Sequence, residues 1–371
     1  MRTVGVEEEY LLVGPRGQPM ALARALLDAA GTHDETDHGS ADDDGPGGDL
    51  EAELTLQQIE TCTHPCTDLT DLTTQIRDGR RRAQQAADRV DARVVALATS
   101  PLHVVAEPTP APRYLEINRQ FGLTAREQLT CGCHVHVGVE DDTEGVAVLD
   151  RIGPWLSPLL ALSGNSPYWQ AEDSGYASYR SQVWNRWPTA GPVAAFGSAD
   201  AYHSTVRGLV DTGAILDTGM VYFDARLSAS YPTVEVRVAD VCLRPDDAAL
   251  LAALVRGLVE TAARQAADGD ATPQVRVEQL RAASWRAARS GLREDLVSPS
   301  TFRPQPARTV VAELVDHVSA ALADSGDLDL VHQMLERVWT RGNGADAQRA
   351  WYAEGRDLEG VVARAVEATH A

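Results

Sequence analysis

The chain is 371 residues long, 44% apolar, and carries 54 acidic against 33 basic residues, a net charge of −21. That length supplies a large core, and the acidic balance excludes nucleic acid as a partner, because a phosphate backbone needs a basic surface. Every basic residue is arginine, and the lack of lysine excludes a Walker A loop, a Schiff-base lysine and a lysine general base.

The first predicted element is the strand "GVEEEYLLV" (5–13). It begins almost at Met1, which leaves no room for a signal peptide, and no apolar run approaches ~18 residues; a cytoplasmic protein without a membrane span is expected. Side chains alternate along a strand, so Glu7 and Glu9 share one face and Glu8 takes the other. Two same-face carboxylates about 7 Å apart repel by roughly 2 kcal/mol at an effective dielectric near 20, and a fold that buries such a pair calls for a cation. An exposed edge strand with solvated acids is the alternative for this stretch alone.

Residues 31–48 are acidic and glycine-rich with no hydrophobic period, and read as a solvated loop. "LEAELTLQQIETCT" (50–63) is a strand region, followed by a long helix over 68–94 with Leu69, Leu72, Ile76 and Ala83 on one stripe. "VVALATS" (94–100) then reads as a buried strand stopped by Pro101. "CGCHVHVGVE" (131–140) alternates, with Val135, Val137 and Val139 opposing His134, His136 and Gly138. Cys62, Cys66, Cys131 and Cys133 could suggest structural zinc, but the second pair is spaced more tightly than zinc sites usually are.

The stretch 162–191, rich in Gly, Pro and Ser and holding Trp169, Trp184 and Trp187, reads as a functional loop. "TVEVRVAD" (233–240) alternates again, setting Glu235 and Arg237 opposite Val234, Val236 and Val238. An amphipathic helix follows over 244–269, with Asp246 and Asp247 at its positive end, and the remainder is mostly helical. No repeat or composition break divides the chain, so a single catalytic domain over 1–371 is expected, α+β in class and built on an antiparallel sheet.

Four strand-like segments thus present Glu7/Glu9, Gln58/Glu60, His134/His136 and Glu235/Arg237 on polar faces. Oxygen-rich ligation with an imidazole suits Mg²⁺ or Mn²⁺ better than zinc, and an arginine beside it can grip phosphate in bidentate fashion, so the pattern reads as a metal–nucleotide site. A metallohydrolase using His134-x-His136 and a non-catalytic acidic binding protein are the other classes this pattern leaves open.

Together, "GVEEEYLLV", "CGCHVHVGV", the 165–191 block, "PTVEVRVADVCLRPDDA", "SWRAARSGL" (284–292) and "GNGADAQR" (342–349) resemble the carboxylate–amine ligase branch of glutamate–cysteine ligases, type 2, within the glutamine synthetase superfamily. The resemblance implies a curved antiparallel sheet enclosing ATP and two or three divalent ions. It implies that Glu7, Glu9, Glu53, Glu60, His134 and Glu235 ligate metal, Glu53 by way of a bend or bulge. It places His136 near the nucleotide phosphates, Arg237 on the transferring phosphoryl group and Arg180 as a carboxylate or phosphate clamp. The residue at Cys133 varies in that family and carries no implied role. The implied reaction joins the side-chain carboxylate of glutamate to an amine, that of cysteine, through an acyl phosphate made from ATP. The substrates are small molecules, and a homo-oligomer is compatible. The acid excess with arginine as the only base fits adaptation to high salt.

Overall fold

The computed structural model describes residues 1–31 and 47–371, so the acidic stretch expected to be a solvated loop lies, apart from its ends, outside the described residues. Seven strands form one sheet with antiparallel pairing throughout: β1 (Val4–Val13), β2 (Leu50–Ala52), β3 (Gln58–Cys62), β4 (Arg93–Val95), β5 (Gly132–Gly138), β6 (Ala225–Leu227) and β7 (Thr233–Asp240). Their order is β2–β3–β1–β5–β7–β6, with β4 following β5 along the same edge of β1. The α+β class with an antiparallel sheet is the one the alternating segments demand.

Alternation divides the sheet into two faces. Val4 and Val6 on β1, Val135 and Val137 on β5, and Val234 and Val236 on β7 are all buried on the face covered by helices. The helix Pro245–Ala267 lies at the centre of that layer and is buried on nearly every side, against β1 and β5 and under the helices Asp142–Ile152 and Ala307–Ser325. Cys133 belongs to this core. The run Asp142–Ser163 is long and apolar enough to cross a membrane by length and composition alone. Here it is broken by a 3-10 turn at Gly153–Trp155, and Leu156, Leu159 and Leu160 pack in the core.

The Glu8 charge on the apolar face of the sheet is handled locally. Glu8 meets Arg80 of the helix Leu69–Asp88, each 1% exposed, through Nη2–Oε1 at 2.5 Å and Nε–Oε2 at 3.0 Å. Arg80 also donates to the carbonyls of Cys242, Leu243 and Thr369, and Tyr10 donates to Glu8 Oε2 at 2.8 Å, so all five guanidinium N–H groups are used. This bond set ties β1, the first long helix and the C-terminus together.

Two boundaries differ from expectation. The helix ends at Asp88 rather than near 94, because residues 89–92 turn the chain into β4. In the segment foreseen as a strand over 94–100 the ladder to β1 ends at Val95; beyond it Ala96 N donates to Thr369 Oγ1 and Ala98 N to the Asn165 carbonyl, and only an isolated antiparallel bridge, Thr99 with Thr130, follows among the described residues.

Candidate active site

The register brings the polar residues of the opposite face together. Glu7 stands opposite His134 and Cys62, Glu9 opposite Glu60, and Glu235 opposite His136 and Arg226. Among the described residues, three groups have ligand atoms within 4.8 Å of one another: Glu9–Glu53–Glu60, Glu7–His136–Glu235 and Glu7–Glu60–Cys62. Glu53 reaches its group because β2 ends at Ala52 and the chain turns there, which supplies the bend that alternation with Glu60 requires. Gln58 does not join them: it accepts from Thr55 and donates to the Thr130 carbonyl, and so holds the hairpin instead.

The electrostatics sort these groups. Burial, reinforced by the neighbouring Glu53, pushes the Glu9 carboxyl up to about 7, although Arg180 and the Gly132 amide, donating at 2.6 Å, oppose it. Burial and the charges of Glu7 and Glu53 push Glu60 well above the usual range. Three acids that close cannot all ionise without a cation, so this trio fits a divalent ion.

Glu235 behaves oppositely. Burial would raise it, but Arg237 and then Arg226 hold it far below the carboxylate range, Arg226 Nε at 2.6 Å from Oε2 and Arg237 Nη1 bonded to Oε1. Burial together with Arg237 lowers His134 to about 4, which leaves a neutral imidazole able to ligate metal. Its Nε2 is buried without a hydrogen-bond partner and lies 3.9 Å from Glu9 Oε1, and its Nδ1 is 3.3 Å from Glu7 Oε2. His136 sits 3.1 Å from Glu7 Oε1; burial opposes its charge, but Glu7 outweighs it and raises its pKa. Glu7 thus favours the charged form of His136, whose ring also brings a nitrogen near Glu235. Oxygen-rich donors with one neutral imidazole, and an orphaned imidazole nitrogen aimed among them, fit Mg²⁺ or Mn²⁺.

Two guanidinium groups stand over this face. Arg237 is tethered to Glu235, and Arg180 heads the short helix Arg180–Trp184; both lie within 6 Å of the Trp184 ring, at 5.9 and 5.7 Å. Gly132 admits Arg180, since a Cβ there would collide with its guanidinium and crowd the His134 ring.

Arg180 is positioned by residues that the sequence patterns did not single out. Asp240, at the end of β7, accepts from Asn165 N, Ser166 Oγ and Ser178 Oγ at 2.7–2.8 Å, and Ser166 Oγ in turn accepts from Arg180 N. Asn165 also receives Gln348 Nε2, while Ala177 and Ser178 donate to the Ala288 carbonyl. The motifs at 284–292 and 342–349 therefore act as braces for the 162–191 segment. Arg226 and Asp224 were missed because β6 is three residues long; the signal available was the alternation of Asp224 and Arg226 with Ala225 and Leu227. Cys62 lies beside Glu60, away from Cys66, whose thiol accepts from Gln75.

Comparison with known proteins identifies the family. Residues 3–368 match the model of glutamate-cysteine ligase family 2. A Streptomyces avermitilis protein named "Putative glutamate–cysteine ligase 2-1" is 51% identical over 371 residues, covering 100% of this chain and 99% of its own length. A Paenarthrobacter aurescens protein named "Putative glutamate–cysteine ligase 2-3" is 53% identical over 350 residues, 94% of this chain and 80% of its own. Among solved structures, a Francisella tularensis glutamate–cysteine ligase in complex with AMP superposes with a TM-score of 0.71 at 12% identity, over 100% of this chain and 89% of that one. A bifunctional glutathione synthetase from Pasteurella multocida gives 0.70 at 14%, over 99% and 52%. At those identities the structures speak for the fold, and the sequence matches speak for the family. The chain belongs to glutamate-cysteine ligase family 2, and is thereby a ligase of the carboxylate–amine class.

Proposed function

We propose that this chain joins the γ-carboxylate of L-glutamate to the amino group of L-cysteine at the expense of ATP, by way of γ-glutamyl phosphate. The observation that carries the reading is the arrangement of Glu7, Glu9, Glu53, Glu60, His134 and Glu235 on one sheet face beneath the guanidinium groups of Arg237 and Arg180. Phosphoryl transfer is mainly positioning and charge neutralisation, and needs no strong protein nucleophile. Two or three Mg²⁺ or Mn²⁺ ions held by the carboxylates and His134 would neutralise the nucleotide phosphates. Arg237, kept charged and oriented by Glu235, holds the transferring phosphoryl group. His136 stands by the phosphates, and Arg180 clamps a substrate carboxylate. A cytoplasmic location, where ATP and free thiols meet, is part of the same proposal.

The names of the relatives favour cysteine, while nothing in the site is shaped for sulfur in particular. Another amine acceptor is therefore the second reading, and an apolar pocket separates neighbouring amines by only ~1–3 kcal/mol. The test is phosphate release from ATP with Mg²⁺, glutamate and a panel of amines. Cysteine should give the highest kcat/KM, with 2-aminobutyrate and alanine behind it; a better acceptor than cysteine replaces the glutamate–cysteine assignment with the broader ligase. Glu9→Gln should abolish turnover with the fold intact, and near-normal turnover in that variant would refute the metal assignment.

A further inference from the structure

The ligase reading leaves two groups of opposite charge beside the acid cluster without an ion-pair partner among the described residues. Arg180 is 2% exposed, its Nε has no hydrogen-bond partner, and its Nη atoms reach only the Arg237 carbonyl, both at 3.5 Å. Asp224 immediately precedes β6 and accepts a hydrogen bond from Arg237 N on its own carbonyl at 2.9 Å, which sets it across the sheet from Arg237. Because Arg226 pairs with Glu235, alternation places Asp224 on that same polar face. Its carboxylate takes no hydrogen bond or ion pair among the described residues. Burial raises it to about 7, and the charges of Arg180 and then Arg281 pull it back without an ion pair to either.

A buried guanidinium above a sheet face and a partly buried carboxylate on that face gain by pairing, because the buried charge alone is costly. Here each is held apart by its own scaffold. Arg180 hangs from the Asp240–Ser166 network, and Asp224 is fixed by backbone bonds to Gly191 and Arg237. The aromatic rings of Trp184 and Tyr222, 4.7 Å apart, stand beside them. A ligand that satisfies both groups carries a carboxylate for Arg180 and an ammonium for Asp224, as the head group of an α-amino acid does.

We propose that Arg180 and Asp224 form the head-group subsite for the carboxylate substrate: Arg180 takes the α-carboxylate, and the α-ammonium donates to the carboxylate of Asp224. This rests on the ligase reading, since it orients the substrate so that its side-chain carboxylate points toward Arg237 and the metal cluster. Asp224 is in this sense a specificity-determining residue that separates an amino acid from a plain dicarboxylate.

The experiment compares L-glutamate with glutarate, which lacks only the α-ammonium and chirality, in steady-state ATP cleavage and in calorimetric binding. Asp224→Asn keeps size and removes charge. The wild type should favour glutamate, and in D224N that preference should fall by roughly tenfold to a hundredfold, with the ATP KM changing by less than about twofold. Asp224→Glu, which keeps the charge but displaces it, should retain part of the preference and guards against a folding defect in the first variant. Undiminished preference for glutamate in folded D224N or, should that variant not fold, full wild-type preference in D224E, overturns the subsite while leaving the ligase reading untouched. A wild type that binds glutamate over glutarate yet cleaves no ATP with any amine overturns the ligase reading and leaves the subsite standing.

Discussion

Adding Mg²⁺ to metal-free protein at two pH values tests the metal site through its own acids. Ligand oxygens of Glu9, Glu53 and Glu60 lie within 4.8 Å of one another. At that separation and an effective dielectric near 20, each ionised pair costs about 3.5 kcal/mol. Without a cation the cluster relieves itself by holding protons, Glu9 up to about 7 and Glu60 well above the usual carboxylate range. The sign follows from the raised values: the folded-state carboxyl keeps its proton below about 7, so its contribution to stability is present at low pH and is lost as pH rises from the carboxylate's ordinary value through about 7. Mg²⁺ must displace that proton. Near pH 5.5 the competition from Glu9 alone weakens Mg²⁺ by about thirtyfold relative to pH 8, or roughly 2 kcal/mol, and Glu60 adds to it. Calorimetry should find tighter Mg²⁺ at pH 8, with protons released on binding near pH 5.5, and the Mg²⁺-induced rise in Tm should be larger at pH 8. Equal affinity at both values, with no proton release, would refute the clustered-acid account of this face.

Arg80→Met strands the buried Glu8 carboxylate and should cost about 3–5 kcal/mol in chemical denaturation, with Glu8→Gln in the same chain recovering part of the loss; an unchanged midpoint would show that the pair is not structural. Arg237→Ala should lower kcat for ATP cleavage by at least about a hundredfold while Mg²⁺ affinity changes little, since Arg237 bonds to Glu235 but is not itself a ligand. Gly132→Ala should disable the enzyme by displacing Arg180 and His134, and normal activity in that variant would count against the close packing at this point. If the acidic surface is a salt adaptation, Tm should rise between dilute buffer and about 1 M KCl as the Debye length shrinks to about 3 Å; a flat response refutes it.

The sequence by itself determined the two-faced strands. Period-two alternation is local, so "GVEEEY", "CHVHV" and "TVEVRV" announced which side chains share a face, and the structure pairs those strands as neighbours. The helix stripe through Leu69, Leu72, Ile76 and Ala83 was equally legible, and Arg80 falls on it, yet only tertiary packing decided that this arginine, and not its neighbours in "RDGRRR", turns inward to Glu8. Whether Glu53 could meet Glu60 depended on where β2 stops, which alternation cannot state. The roles of Asp240, Asn165, Gly132 and Asp224 came from contacts across many residues of chain: Asp240 with Ser166, Asn165 with Gln348, Gly132 with Arg180, Asp224 with Arg237. No local pattern encodes such pairings, because each is set by the sheet register and by the loop that the C-terminal helices brace. Strand patterning could therefore supply the acid-lined face with Arg237 on it, while the placement of Arg180 above it was decided by the folded chain alone.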